Sequence, residues 1–253
     1  MTVPSRLQDV YYRLGPVHFL HFEDLDLVSA HYQLGEDVRS QVQMILTRRL
    51  DLLKTGTFAA QLRHVQACGE AIRLKGLAKG VPEIVRAAVM DYQRCLAAWA
   101  EGAGLHQFTH PFFEEVGSIP AYDLALLLQD EYCGCQTGLY REEDGKVLLW
   151  HTEEDVDRGP SRFDHLRVAV FGAPPKQIFS FIYPDLLPGP AFNWRSDGYI
   201  QAVDALTLKQ GVLSAGFLAN AAAWVTLQLG GALSSAEVLR ALAPFADGYA
   251  LVS

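Results

Sequence analysis

The chain is short of positive charge, of long apolar runs and of sulfur. Asp and Glu outnumber Lys and Arg by 29 to 21, a formal net charge of -8. An acidic surface argues against nucleic acid or an anionic membrane as the main partner, because both attract basic residues. No uninterrupted apolar run reaches the roughly 18 residues that a spanning helix needs. The first residues, MTVPSRLQDVYYRLGP, lack the basic start and apolar block of a secretory signal. The four cysteines, Cys68, Cys95, Cys133 and Cys135, are too few to form a disulfide framework in 253 residues. These shortages together fit a reduced, cytoplasmic protein. Internal repeats and low-complexity tracts are missing as well.

What is abundant is apolar residues, half of the chain. That supplies a sizeable core for one large domain or two small ones. Residues 1–36 concentrate aromatics and histidine. His18, His21 and His31 fall within fourteen positions, yet their spacing matches no recognised metal-ligand pattern, so a packed or surface role is expected. The same segment lacks a long periodic run and is expected to fold over the rest. Apolar periodicity predicts helices over Asp37–Lys54, ended by Gly56, and over Phe58–Lys79, broken by Gly80 and Pro82. A third runs from Pro82 to about Ala100, with the proline at its first turn. Cys68 and Cys95 fall inside these helices and read as small core residues. Glu101–Pro120 reads as a connection and Ala121–Asp130 as a short apolar helix.

The character changes at Cys133. Gln136–Arg141 and Lys146–His151 read as two strands around a turn at Glu142–Gly145, with Asp144-Gly145 a favoured hairpin pair. The hairpin returns Glu153, Glu154 and Asp155 towards Cys135. A thiol with carboxylates brought beside it is a candidate nucleophile site. Leu166–Phe171 with Gln177–Tyr183, and Phe192–Arg195 with Gly198–Leu206, read as antiparallel pairs. Leu208–Leu229 is a helix of small residues suited to packing on a sheet. Ser234-Ser235-Ala236-Glu237 is a capping box opening a last helix through Phe245, and Gly248–Val252 reads as a further strand. Strands covered by helices make an α+β fold.

Two blocks carry a family resemblance. The first is the Gly134-Cys135 pair, its hairpin with Asp144-Gly145, and His151-Thr152-Glu153-Glu154. The second is Tyr183-Pro184-Asp185-Leu186-Leu187-Pro188-Gly189. In this order they resemble the acyl-coenzyme A:6-aminopenicillanic acid acyltransferase family, a branch of the N-terminal nucleophile hydrolases. The resemblance implies a four-layer αββα sandwich. It implies residues 1–134 as a helical segment like a propeptide or α-chain, and 135–253 as a strand-rich nucleophile segment, together one structural domain. It also implies strands beyond the last capped helix, so the core is expected to be incomplete at Ser253.

The implied activity is an amidohydrolase or acyltransferase acting on a small-molecule amide or acyl thioester, matured by self-cleavage between Gly134 and Cys135. Glycine before the nucleophile leaves the scissile carbonyl uncrowded. After cleavage Cys135 would carry a thiol and an α-amine, and an amine of pKa about 7.7–8.0 accepts the thiol proton near neutral pH. No separate catalytic histidine, cofactor or metal is then required. Glu154, Glu153 or Asp155 would orient that amine. For the oxyanion hole, the family's Val-Asn-Ala-Leu corresponds to Val203-Asp204-Ala205-Leu206. Asparagine donates to an oxyanion, whereas ionised aspartate only accepts. Either Asp204 is protonated, or Asn193 serves, or acyl transfer is impaired.

Other readings stand beside this one. Cys133 competes as nucleophile. Cys133-Gly134-Cys135 with His151 could hold a metal or act as a redox pair. An uncleaved, inactive or ligand-binding relative, and a helical interaction module over residues 37–100, are the alternatives to an enzyme. A homo-oligomer is compatible with all of them.

Overall fold

The computed structural model describes residues 18–76, 79–129, 134–154, 166–203, 215–229, 234 and 237; at Cys135, Glu153 and Glu154 it describes the backbone alone. These residues form a mixed α+β structure with six α-helices, a five-stranded sheet and a separate two-stranded hairpin. Among them no helix is long and apolar enough to cross a membrane.

The chain enters as strand β1, His18–Phe22, followed by helix α1, Leu27–Leu52. Asp26 caps α1: its carboxylate accepts from the Val28 and Ser29 amides at 3.0 and 3.1 Å and from the Ser29 hydroxyl at 2.5 Å. Ala30, His31, Leu34, Val38 and Val42 then line one buried face. The helix therefore starts ten residues before the expected Asp37, and residues 27–36 belong to it rather than to a covering segment. Helix α2, Thr55–Gly76, begins before the expected Phe58, and Gly56 sits in its first turn instead of ending α1. Helix α3, Glu83–Gly102, follows an extended Pro82 at the N-cap, as the proline suggests. A 3₁₀ turn, Leu105–Gln107, and a short helix α4, Phe112–Val116, break up the expected connection before helix α5, Ala121–Gln129.

Two glycines set the crossing of α1 and α3. A β-carbon on Gly35 would strike the Trp99 carbonyl and the Ala103 amide, and one on Gly102 would strike the Tyr32 carbonyl and the Glu36 amide. The two backbones therefore touch. Beyond the crossing, α1 finishes the end of α3. Arg39 donates to the Gly102 carbonyl from Nε at 3.0 Å and Nη2 at 2.9 Å, and Gln43 donates to the Ala103 carbonyl at 3.2 Å.

The second half opens with the hairpin, β2 (Gly134–Arg141) and β3 (Val147–Glu154). Strands β4 (Arg167–Phe171), β5 (Ile178–Ile182), β6 (Asn193–Arg195) and β7 (Ile200–Gln201) follow, then helix α6 (Ala215–Leu229). The expected antiparallel pairs are β4 with β5 and β6 with β7. The sheet order is β1-β4-β5-β6-β7, with β1 parallel to β4 and every other pair antiparallel. At Ser234 and Glu237 the capping box is formed, with the Ser234 amide and hydroxyl donating to Glu237 Oε2 at 2.8 and 2.6 Å. The expected strand at Gly248–Val252, and the helix beyond the box, lie outside the described residues.

One face of the sheet carries Phe22, Ala169, Phe171, Ile178 and Ile182 into a single core with α1, α3, α5 and α6. Residues from before and after position 134 share this core. The opposite face carries Val168, Val170, Phe179, Phe181 and Trp194, with Phe179 and Trp194 paired across β5 and β6 and their rings parallel at 4.9 Å. Val168 and Val170 are buried, while the three aromatics are half-buried.

Candidate functional site

The hairpin builds the site from its register. Gly145 takes φ +86°, the left-handed region that favours glycine, and Lys146 N donates to Asp144 Oδ1 at 3.0 Å. The loop spans residues 142–146, which sets Arg141 against Val147. Counting back, Thr137 pairs with His151, Cys135 with Glu153 and Gly134 with Glu154. Side chains alternate along a strand. Cys135, Thr137, His151 and Glu153 therefore occupy adjacent positions on one face, and Glu154 falls on the reverse. Of the two glutamates, the register brings Glu153 to the cysteine.

The two faces differ in exposure near the cysteine end. On the cysteine face Thr137, Leu149 and His151 are half-buried, while Leu139, Arg141 and Val147 towards the turn are exposed; on the reverse Gln136, Tyr140, Leu148, Trp150 and Thr152 are exposed. The Trp150 ring crosses Gly138, its cross-strand partner, in the space a side chain would take. Thr137 Oγ1 and His151 Nδ1 are hydrogen-bonded at 2.8 Å. The His151 ring stacks near Phe192 at 6.4 Å, so this face is turned towards the aromatic side of the sheet.

The second block is buried throughout, from Tyr183 to Gly189. Buried backbone polar groups need partners, and three side-chain amides, Gln129, Gln201 and Asn193, supply them here. Gln129, at the end of α5, donates from Nε2 to the Asp185 carbonyl and accepts from the Leu187 amide, both at 3.0 Å. Its own carbonyl accepts from Asn220 Nδ2 at 2.7 Å. Gln201 Nε2 donates to the Gly189 carbonyl at 3.1 Å and the Ala223 carbonyl at 2.9 Å. Asn193 Nδ2 donates to the Gly189 and Ala191 carbonyls at 2.9 and 2.6 Å, and its Oδ1 accepts from the Ser180 hydroxyl. Gly189 has φ +125°, and a β-carbon there would lie 2.7 Å from the Trp224 amide nitrogen. Glycine is required twice over, by conformation and by space.

Gln129 ties the second block to the end of α5. It stands five residues before Gly134, a reach of at most about 18 Å. Gln129→Ala would strip a buried carbonyl and a buried amide of their partner, at about 1–3 kcal/mol for each unsatisfied group. We expect Q129A to lower stability by about 2 kcal/mol, read as a shift of the urea midpoint.

The candidate residues are thus placed unevenly. Cys135 and Glu153 are register partners; Glu154 is opposite Gly134. Asn193 is fully buried and both of its amide hydrogens are committed to backbone carbonyls. Asp155, Asp204 and Cys133 lie outside the described residues. Sequence reading missed Thr137, Gln129, Gln201 and Asn220, and treated His151 only as a possible ligand. Period-two counting from Cys135 through the predicted hairpin would have found Thr137 and His151; the amides carried no sequence signal, since each acts across a long chain separation.

Elsewhere, Cys95 is buried and burial pushes its thiol up to about 12, which leaves it protonated and unreactive. Cys68 is also buried, with its sulfur 3.6 Å from His64 Nε2. Among the described residues no group of three or more His, Cys, Asp and Glu side chains is placed to hold a metal ion. Comparison with protein-family models, with curated proteins and with solved structures returns no match. The functional reading therefore rests on the chain's own geometry.

Proposed function

We propose that the protein is a cysteine N-terminal nucleophile enzyme, an amidohydrolase or acyltransferase that breaks its own chain between Gly134 and Cys135. The observation that carries this reading is the hairpin register, which sets Cys135 directly against Glu153 on the face turned towards the body. Glu153 is the carboxylate best placed to hold a released α-amine in its charged form, and that amine would shuttle the thiol proton during acyl transfer. The half-buried aromatic face of the sheet supports the finer fold assignment. A sheet covered by helices on one side and apolar on the other is half of an αββα sandwich, and the hairpin lies on the side where a second sheet would stack. The substrate is a small amide or thioester whose acyl carbon reaches the Cys135 sulfur. Cytoplasmic location belongs to the same reading.

The engaged state of Asn193 favours one alternative. An amide that holds two backbone carbonyls has no hydrogen left for an oxyanion, and Asp204 at the matching motif position is a poor donor when ionised. An uncleaved ligand-binding relative of the same fold would look like this.

Intact-mass analysis of the purified chain under denaturing conditions decides between them. The wild type should separate into fragments 1–134 and 135–253 and turn over an acyl thioester, whereas Cys135→Ala should stay whole and inactive. A wild-type chain that stays whole and shows no Cys135-dependent turnover would remove the enzymatic reading.

A further inference from the structure

The reading of Cys135 as a self-released nucleophile leaves one proton without a carrier. In the finished enzyme the α-amine of Cys135 takes the thiol proton. Before the chain is broken that nitrogen is an amide and has no usable basicity. The first acyl shift needs a base from elsewhere.

We propose that His151 is that base, with Thr137 as the residue that positions it; the inference rests on the function proposed above. His151 stands on the same hairpin face as Cys135, two register pairs along and so in the next pair on that face, as its diagonal neighbour. Diagonal pairs on one face lie within reach of long and aromatic side chains. The Thr137 hydroxyl engages Nδ1 at 2.8 Å, and Phe192 flanks the ring at 6.4 Å. With Nδ1–H donated to Thr137 Oγ1, Nε2 is the basic nitrogen. Among the described residues, the titratable groups at neighbouring positions on this face are Cys135 and Glu153, and the body presents the Phe192 ring. An imidazole is closer in basicity to a thiolate than a carboxylate is, so it takes the thiol proton at lower cost than Glu153.

The steps balance without a co-reactant other than water. Nε2 takes the Cys135 thiol proton, and the thiolate adds to the Gly134 carbonyl carbon. The carbon–nitrogen bond breaks as the imidazolium returns its proton to the departing nitrogen. Gly134 is then a thioester on the Cys135 sulfur, and the nitrogen is the new α-amine. Water adds to the thioester, giving its proton to the imidazole, and the sulfur leaves. The products are a Gly134 carboxylate and a Cys135 with free thiol and amine. From that point the amine serves, and His151 is no longer required for the proton.

The test follows cleavage of the full-length chain by denaturing gel and intact mass between pH 5.5 and 8.5, for wild type, His151→Gln, Thr137→Val and Cys135→Ala. H151Q should accumulate whole precursor, with self-cleavage slowed by about a hundredfold or more. It should lose the fall in rate that the wild type shows towards acid pH, where a protonated imidazole cannot accept. Added imidazole should restore part of the rate to H151Q and none to C135A. T137V should cleave more slowly than wild type and keep the acid limb. If H151Q splits at the wild-type rate with the same pH profile while C135A stays whole, the role of His151 is overturned and the proposed function stands. If wild type remains whole at every pH, both are overturned.

Discussion

Gly102→Ala is expected to lower the unfolding free energy by about 3 kcal/mol or more, although alanine is the better helix former. Exchanging a helical glycine for alanine normally gains about 1 kcal/mol. Here the added methyl points at the Tyr32 carbonyl and the Glu36 amide of α1. Neither can rotate aside, because both are backbone atoms of a helix. The helices must separate, and separation also lengthens the Arg39 and Gln43 bonds that close the end of α3. Overpacking a rigid contact costs about 1–3 kcal/mol and at times more, which outweighs the propensity gain. Gly35→Ala should behave alike, and the double variant should lose less than the sum, since the first methyl already parts the helices. Urea unfolding at neutral pH measures all three; a stabilised G102A would refute the backbone contact.

A second large effect is acid lability traced to one side chain. His31 is buried, and its two ring nitrogens have fixed roles. The Leu27 carbonyl can only accept, so Nδ1 at 2.7 Å carries the proton; the Trp224 indole can only donate, so Nε2 at 3.2 Å is the acceptor. The ring also lies against Phe171 at 5.3 Å. Burial pushes its pKa down from 6.5 to about 4, against a smaller opposing effect of the Leu27 carbonyl. The sign follows from linkage. Above pH 6.5 neither the folded nor the unfolded histidine is charged. Between 6.5 and 4 the unfolded chain binds a proton that the folded chain refuses, so stability falls as the pH falls. Below 4 the loss levels off, at roughly 3 kcal/mol. Asp26 and Asp197, held below the usual carboxylate range by hydrogen bonds to Ser29 and Arg195, act in the same direction but below that window, where their carboxylates begin to protonate. The histidine part is isolated by difference. His31→Gln should be less stable than wild type at pH 7, and the gap should close by roughly 3 kcal/mol by pH 4. Parallel curves for the two proteins would contradict the assignment.

The sequence made local features readable and left tertiary ones hidden. Asp144-Gly145 announced the hairpin because a left-handed turn residue sits between two β-rich runs. The Ser234–Glu237 box and Pro82 marked helix starts for equally local reasons. The start of α1 is signalled by Asp26 and by the spacing of Leu27, Ala30, His31 and Leu34, but the density of aromatic and histidine residues around it obscures that period. Gly56 was misread as a stop: after the extended Leu53 it lies within the next helix, and only the chain geometry distinguishes the two uses. The parallel partnership of β1 with β4 joins strands far apart in sequence, and nothing within either announces the other. The amides around Leu186-Leu187-Pro188-Gly189 are of this kind too. The site was half legible. Cys135 and the carboxylates stood out by residue type, while Thr137 and His151 emerge only when the strands are laid side by side.

That β1–β4 pairing has a bearing on what a broken chain would be. Strand β1 and helices α1 to α5 come before Gly134, and they share the sheet and the core with everything that follows. A nick at that point would release neither piece. The two polypeptides would travel together on a sizing column and melt as one body, with only a denaturant able to part them. A break there would change the number of chain ends while leaving the particle's dimensions untouched.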